Sequence, residues 1–184
     1  MISVIIPTFN YLEYLPLAVE SILNQTYDDF ELIIMDNDST DGTWEYLKSI
    51  TDKRVRIFKK YHTNATENVE CCIRLCRGEW IKFFTADDIL YPDALESLIL
   101  QAENTPDNRN KIFYTSFIVI DSKGKQIDEC VEPSYNGLTD VEVHKIMLDH
   151  HVGNICSGII HRSMFDRFGY FDPNYDKGSD YHWY

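Results

Sequence analysis

The sequence predicts an α/β fold, a mostly parallel central sheet flanked by helices, with a smaller loop-rich region after it. Strand-like apolar runs and segments of helical periodicity alternate four times in the first half of the chain. That pattern requires crossovers and therefore parallel neighbours. Polar clusters fall in the loops that follow strands, where open α/β sheets place their ligands. Beyond residue 110 the alternation gives way to a hairpin signal and a stretch punctuated by Gly153, Gly158, Gly169 and Gly178.

Taken in order, residues 3–6 form a short apolar strand ended by Pro7. Leu12, Leu15, Val19, Ile22 and Leu23 recur at helical spacing up to Asn24-Gln25, so Pro16 must lie in the first turn of that helix. Residues 30–35 are the second strand. The polar turn of residues 36–42 follows, with Thr40 or Asp41 placed to cap a helix reaching Ile50. Residues 54–58 alternate like a strand, and a loop through His62 and Asn64 leads to a helix over residues 67–76. Gly78 marks the end of that helix, residues 80–84 are the fourth strand, and Pro92 opens a helix reaching Glu103.

In the second half, strands at 111–120 and 126–130 flank a turn at 122–125. A short helix is predicted at 141–148, a strand at 156–161, and a helix at 163–168 stopped by Gly169. The last residues, 180–184, read as the first turns of a helix that continues in the natural protein. Residues 1–110 and 111–184 are thus expected to be two halves of one domain.

Composition narrows the function. A chain of 184 residues can bury a sizeable core, and 44% hydrophobic with 14% aromatic residues excludes global disorder. No apolar run reaches bilayer length and no signal-like leader opens the chain, so neither a membrane span nor secretion is expected. The 17 basic and 30 acidic side chains give a formal charge of −13. That balance argues against nucleic acid as partner and against electrostatic docking on anionic lipid. Such a protein can hold a nucleotide diphosphate only where a metal or local donors offset the repulsion. The five cysteines contain no CxxC pair, so buried free thiols in a reducing cytosol are expected rather than zinc.

Asp87-Asp88 follows the fourth strand directly. Two carboxylates at a strand end cannot ionise side by side without compensation, and a hard cation shared with substrate phosphates would supply it. Equally, either acid could cap the helix that Pro92 opens. Three other clusters invite the same weighing. Pro7, Thr8, Phe9 and Asn10 follow the first strand; Phe9 could stack on a base, or simply tuck into the core. Asp36 and Asn37 follow the second strand and offer acceptors to a base N–H, or serve only the turn. Asp180 opens the last segment, as a general base or as a charge on the helix dipole. His144, His150 and His151 lack ligand spacing and read as a solvated helix end.

In this order the clusters resemble family-2 glycosyltransferases of the GT-A fold, the nucleotide-diphospho-sugar transferase superfamily. The resemblance rests on Ser3-Val-Ile-Ile-Pro-Thr-Phe-Asn10, Leu23-Asn-Gln-Thr-Tyr27 and Phe30-Glu-Leu-Ile-Ile-Met-Asp-Asn-Asp-Ser-Thr-Asp-Gly-Thr43. It continues through Gly78-Glu-Trp-Ile81, Asp87-Asp88 with Pro92-Asp93, and Ser179-Asp180. It implies a nucleotide pocket lined by Pro7, Thr8, Phe9 and Asn10, with Phe9 where the family often has Tyr. Asp36 or Asn37 would accept the base N–H, Asp87 would contact the ribose, and Asp88 would bind Mg²⁺ or Mn²⁺ at the diphosphate. Asp180 would be the general base for the acceptor hydroxyl, and Asn154 and Ser157 fall where members contact donor sugar or acceptor.

The implied activity is inverting transfer from a nucleotide-sugar, commonly a UDP-sugar, to a saccharide or lipid-linked acceptor. Residues 1–110 would be the donor half and 111–184 the acceptor side. The implied setting is cytoplasmic, with peripheral attachment at the inner membrane face through segments beyond this chain. Three departures stand out: Ala86 where the metal motif usually has an acid, no evident basic donor contact at residues 61–67, and Ser179 where Glu is usual. A sugar-nucleotide nucleotidyltransferase remains an alternative, although residues 7–12 lack its Gly-rich basic loop. A non-catalytic nucleotide-sugar or partner-binding domain on the same fold is the other.

Overall fold

The computed structural model describes residues 1–61, 64–131 and 155–170. The expected alternation is present. In chain order the elements are β1 (Ile2–Thr8), α1 (Leu15–Leu23), β2 (Phe30–Asp36), α2 (Thr43–Ser49), β3 (Val55–Lys59), α3 (Ala65–Leu75), β4 (Trp80–Phe83) and α4 (Ala94–Glu103). Then come β5 (Ile112–Tyr114), β6 (Phe117–Ile120), β7 (Gln126–Cys130), β8 (Gly158–His161) and α5 (Ser163–Phe168). The main sheet has the order β3-β2-β1-β4-β8-β5. Its first four strands are parallel, while β8 runs antiparallel to both β4 and β5.

Strand alternation sorts the core into two layers. Ile2, Val4 and Ile6 of β1 face one side, where they pack with α1, α2 and α4 through Leu15, Leu47 and Leu95. Ile5 and Ile33 face the other side, against Cys72 and Ile73 of α3 and Phe165 of α5. With both faces covered, the central strands can be apolar throughout. Cys72 and Cys76 are buried thiols, as expected of all five cysteines, but Cys71, Cys130 and Cys156 are only half-buried. Among the described residues, no helix is long and apolar enough to cross a membrane.

Several expected boundaries move, each for a local reason. Pro7 does not end β1: it pairs with Met35, and β1 runs on to Thr8. The Ile5 carbonyl takes the Phe84 amide on the β4 side, so Pro7, two residues on, points its missing N–H to that same side, where β4 has already ended. The helix after Pro92 begins later than expected, at Ala94. Gln25 supplies its first-turn acceptor, taking the Leu95 amide at 3.0 Å while donating to the Tyr91 carbonyl. Residues 111–120 are not one strand. At Thr115 the backbone amide and hydroxyl both turn to the Ser157 carbonyl, at 3.1 and 3.0 Å, and the chain leaves the main sheet to form the separate β6–β7 hairpin. The helix expected at 141–148 lies outside the described residues.

This topology fixes where a ligand can sit. From β1 the chain winds outward through β2 to β3, then returns to place β4 on the other side of β1. The order reverses between β1 and β4, and open α/β sheets take their ligands at the carboxyl ends of such a pair.

Candidate functional site

Loops from β1, β2 and β4 leave the sheet at this reversal, side by side at the carboxyl ends. From β1 comes Thr8, 3% exposed, whose Oγ1 has no hydrogen-bond partner among the described residues. An orphaned buried hydroxyl is costly unless something else completes it. Phe9 follows with its ring 51% exposed, so it is not tucked into the core. Asn10 adopts a left-handed backbone with φ of 57°. Its amide donates to Ser39 Oγ and its Oδ1 accepts from the Thr40 amide, both at 2.8 Å. Asn10 therefore shapes the rim by joining two loops.

From β2, Asp36 is fully buried, and both its carboxylate oxygens accept from the Ser39 amide at 3.3 Å. Asn37 donates its amide to the Thr8 carbonyl at 2.9 Å, fixing the β1 and β2 ends together. Beside them lies a feature that sequence reasoning missed. Lys59, at the end of β3, pairs with Asp38 at 2.9 Å and stands 5.6 Å from the Trp44 ring and 5.7 Å from the Tyr61 ring. Its amino group is held above the usual lysine range, chiefly by its hydrogen bond to Asp38. A basic residue leaving a strand next to an aromatic is the signal that could have found it.

From β4, Asp87 and Asp88 are both exposed. The Asp88 carboxylate accepts from the Thr85 hydroxyl. Neither acid caps α4: its N-cap is Asp93, without a side-chain cap bond. The capping alternative thus falls, and two carboxylates stand open to solvent at the switch point. Among the described residues no three His, Cys, Asp or Glu side chains form a group able to hold a metal. Beneath the pair, within β4, lies Lys82 at 1% exposure. Asp180 and Asn154 lie outside the described residues, as do His144, His150 and His151. Ser157 is described and buried; its carbonyl receives Thr115.

Sheet order and the likeness to solved structures given below define an α/β protein of the GT-A fold. The chain belongs to glycosyl transferase family 2, which it matches over residues 3–168. An uncharacterized glycosyltransferase of Rickettsia prowazekii is 28% identical over 182 residues, covering 98% of this chain and 56% of that protein. The Escherichia coli UDP-Glc:alpha-D-GlcNAc-diphosphoundecaprenol beta-1,3-glucosyltransferase is 36% identical over 89 residues, 48% of this chain and 36% of that protein. The chain spans about half, or less, of the length of these curated relatives.

Among solved structures, S. aureus TarS 1-349 shares the fold at a TM-score of 0.72 with 17% identity, over 97% of this chain and 52% of that one. Its complex with UDP-GlcNAc aligns at 0.68 with 17% identity, over 93% and 48%. The mannosyltransferase PcManGT from Pyrobaculum calidifontis, in complex with GDP-Man and Mn2+, aligns at 0.62 with 17% identity, over 94% and 48%.

Proposed function

We propose that this chain carries the donor site of an inverting glycosyltransferase, which moves a sugar from a UDP-sugar to a saccharide or lipid-linked acceptor. One observation carries the reading. An open aromatic ring and an orphaned buried hydroxyl end β1, on Phe9 and Thr8, and two exposed carboxylates, Asp87 and Asp88, follow its parallel neighbour β4. The UDP-GlcNAc complex of TarS and the UDP-glucose and lipid-diphosphate named for the E. coli relative support the choice of donor and acceptor class.

Phe9 would stack on the base, with the Thr8 hydroxyl and Asn37 at its edge; Asp36 would reach the base N–H only by giving up part of its bond to the Ser39 amide. Asp87 would contact the ribose. Asp88, an exposed hard carboxylate, would hold Mg²⁺ or Mn²⁺, with the substrate making up for the few protein ligands. The chemistry such an ion would supply is neutralisation of the charge that develops on the diphosphate. In the transfer itself, Asp180 takes the proton of the acceptor hydroxyl as its oxygen bonds to the anomeric carbon. The bond from that carbon to the diphosphate breaks, and the nucleoside diphosphate leaves with the electron pair. General-base help of this kind is worth about 10²–10⁴-fold.

The test is incubation of the chain with UDP-GlcNAc, UDP-glucose and GDP-mannose, each with Mn²⁺, following release of nucleoside diphosphate. Release in the wild type and its loss in Asp180→Asn, with donor binding retained, is the expected result. Pyrophosphate formation from UTP and a sugar phosphate would point instead to nucleotidyl transfer. Absence of both binding and turnover would leave a domain with no donor site.

A further inference from the structure

Lys82 is out of place by packing alone. It sits in β4 opposite Val4 in an otherwise apolar stretch, 1% exposed. Its ammonium donates to the Cys156 carbonyl and, at 3.4 Å, to the Phe83 carbonyl, and lies 5.7 Å from the Phe84 ring centre. Among the described residues it forms no ion pair. A buried cation whose partners among the described residues are all carbonyls is expensive, and an aliphatic side chain of the same length would fill the space without that cost.

Its surroundings explain what it gives in return. β4 leads from Lys82 directly into the loop that presents Asp87 and Asp88. The Cys156 carbonyl belongs to the 3₁₀ turn Ile155–Ser157, whose Ser157 carbonyl is also held by Thr115. Lys82 therefore stands where the acid-bearing strand meets the turn that leads into β8. Burial pulls its amino group down to about 8, partly opposed by Cys156 and by Asp88, so it remains largely cationic at neutral pH. A donor diphosphate adds negative charge beside Asp87 and Asp88 on a chain already at −13.

Resting on the donor-site reading above, we propose that Lys82 is a positioning residue for the diphosphate end of that site. It ties the Ile155–Ser157 turn to β4 and sets a fixed positive charge behind Asp88. The test is calorimetric titration of the chain at pH 7 with UDP and with UMP, at constant MnCl₂, for wild type, Lys82→Met and Lys82→Gln. Methionine keeps the bulk; glutamine keeps a donor for the Cys156 carbonyl without the charge.

Both variants are expected to fold, with UDP affinity falling about tenfold more than UMP affinity, the size of one partly screened charge interaction. A UDP-to-UMP affinity ratio equal to that of wild type in either folded variant overturns the role. If both variants fail to fold, Lys82 is purely structural and the proposal is equally overturned. Wild-type protein that binds neither nucleotide overturns the donor-site reading itself, a result distinct from the other two.

Discussion

The two ends of the parallel sheet treat their polar groups in opposite ways. At the amino ends, Glu31 of β2 accepts from the Ser3 hydroxyl at 2.7 Å, the Arg77 amide at 2.6 Å and the Arg56 guanidinium at 2.6 Å. Arg56 also reaches the Leu75 carbonyl, and Ser3 Oγ takes the Gly78 amide at 2.8 Å. Partners for these groups come from the chain itself, so the end is closed in hydrogen bonding, although a cavity lined by Asp28, Asp52 and Arg54 lies beside it. At the carboxyl ends Asp36 and Asn10 are also satisfied within the chain, but Thr8 Oγ1 is orphaned, Phe9 is open, and Asp87 and Asp88 face solvent. The same strands thus carry a self-satisfied network at one end and unfinished chemistry at the other. The contrast separates groups that the chain satisfies by itself from groups on which the proposed donor site would draw.

Substitutions should separate the two. The largest stability loss is expected at Gly78, where an added Cβ would come within 2.7 Å of the Ser3 backbone nitrogen and 2.9 Å of the Met1 carbonyl oxygen. Gly78→Ala should cost about 1–3 kcal/mol of stability in a denaturant melt, as overpacking does. Asp88→Ala should do the reverse, leaving the melt within about 0.5 kcal/mol of wild type. Its Mn²⁺-dependent UDP affinity should fall by roughly 30-fold, about 2 kcal/mol, in calorimetry. Phe9→Ala should likewise spare stability and weaken UDP by about 1 kcal/mol or somewhat more, the lower range for a lost base stack.

The smallest expected effect is a pH dependence at the closed end. Burial would raise the Glu31 carboxyl, but the bonds from Ser3, the Arg77 amide and Arg56 outweigh it and hold it below the usual glutamate range. A group depressed in the folded state contributes stability above its unfolded pKa and loses it as pH falls through the folded value. Melting temperature should therefore drop on acidification below the ordinary glutamate range. Glu31→Gln should flatten that part of the profile, and an unchanged slope would show that the network does not carry it.

Much of this was legible in the sequence because it is local. The alternation of periods gave the parallel strands, and Phe9, Asp36, Asp87 and Asp88 announced themselves by following strands. What escaped depends on distant partners. The break between β5 and β6 is set by Thr115 meeting Ser157, and the start of α4 by Gln25 reaching back from α1. Asn10 and Asp36 carry an acceptor chemistry the sequence suggested, yet the chain uses both to order the Ser39–Thr40 turn. Lys82 was readable as a lysine within Trp-Ile-Lys-Phe-Phe, but its meaning needed Cys156 beside it.

Hydrogen exchange of the wild-type chain with and without UDP and Mn²⁺ tests the contrast between the two sheet ends most directly. Protection should rise at residues 8–10, 36–40 and 85–88, with residues 29–31 and 76–79 unchanged. Protection confined to the amino ends, or none at saturating UDP, would contradict the placement of the donor site.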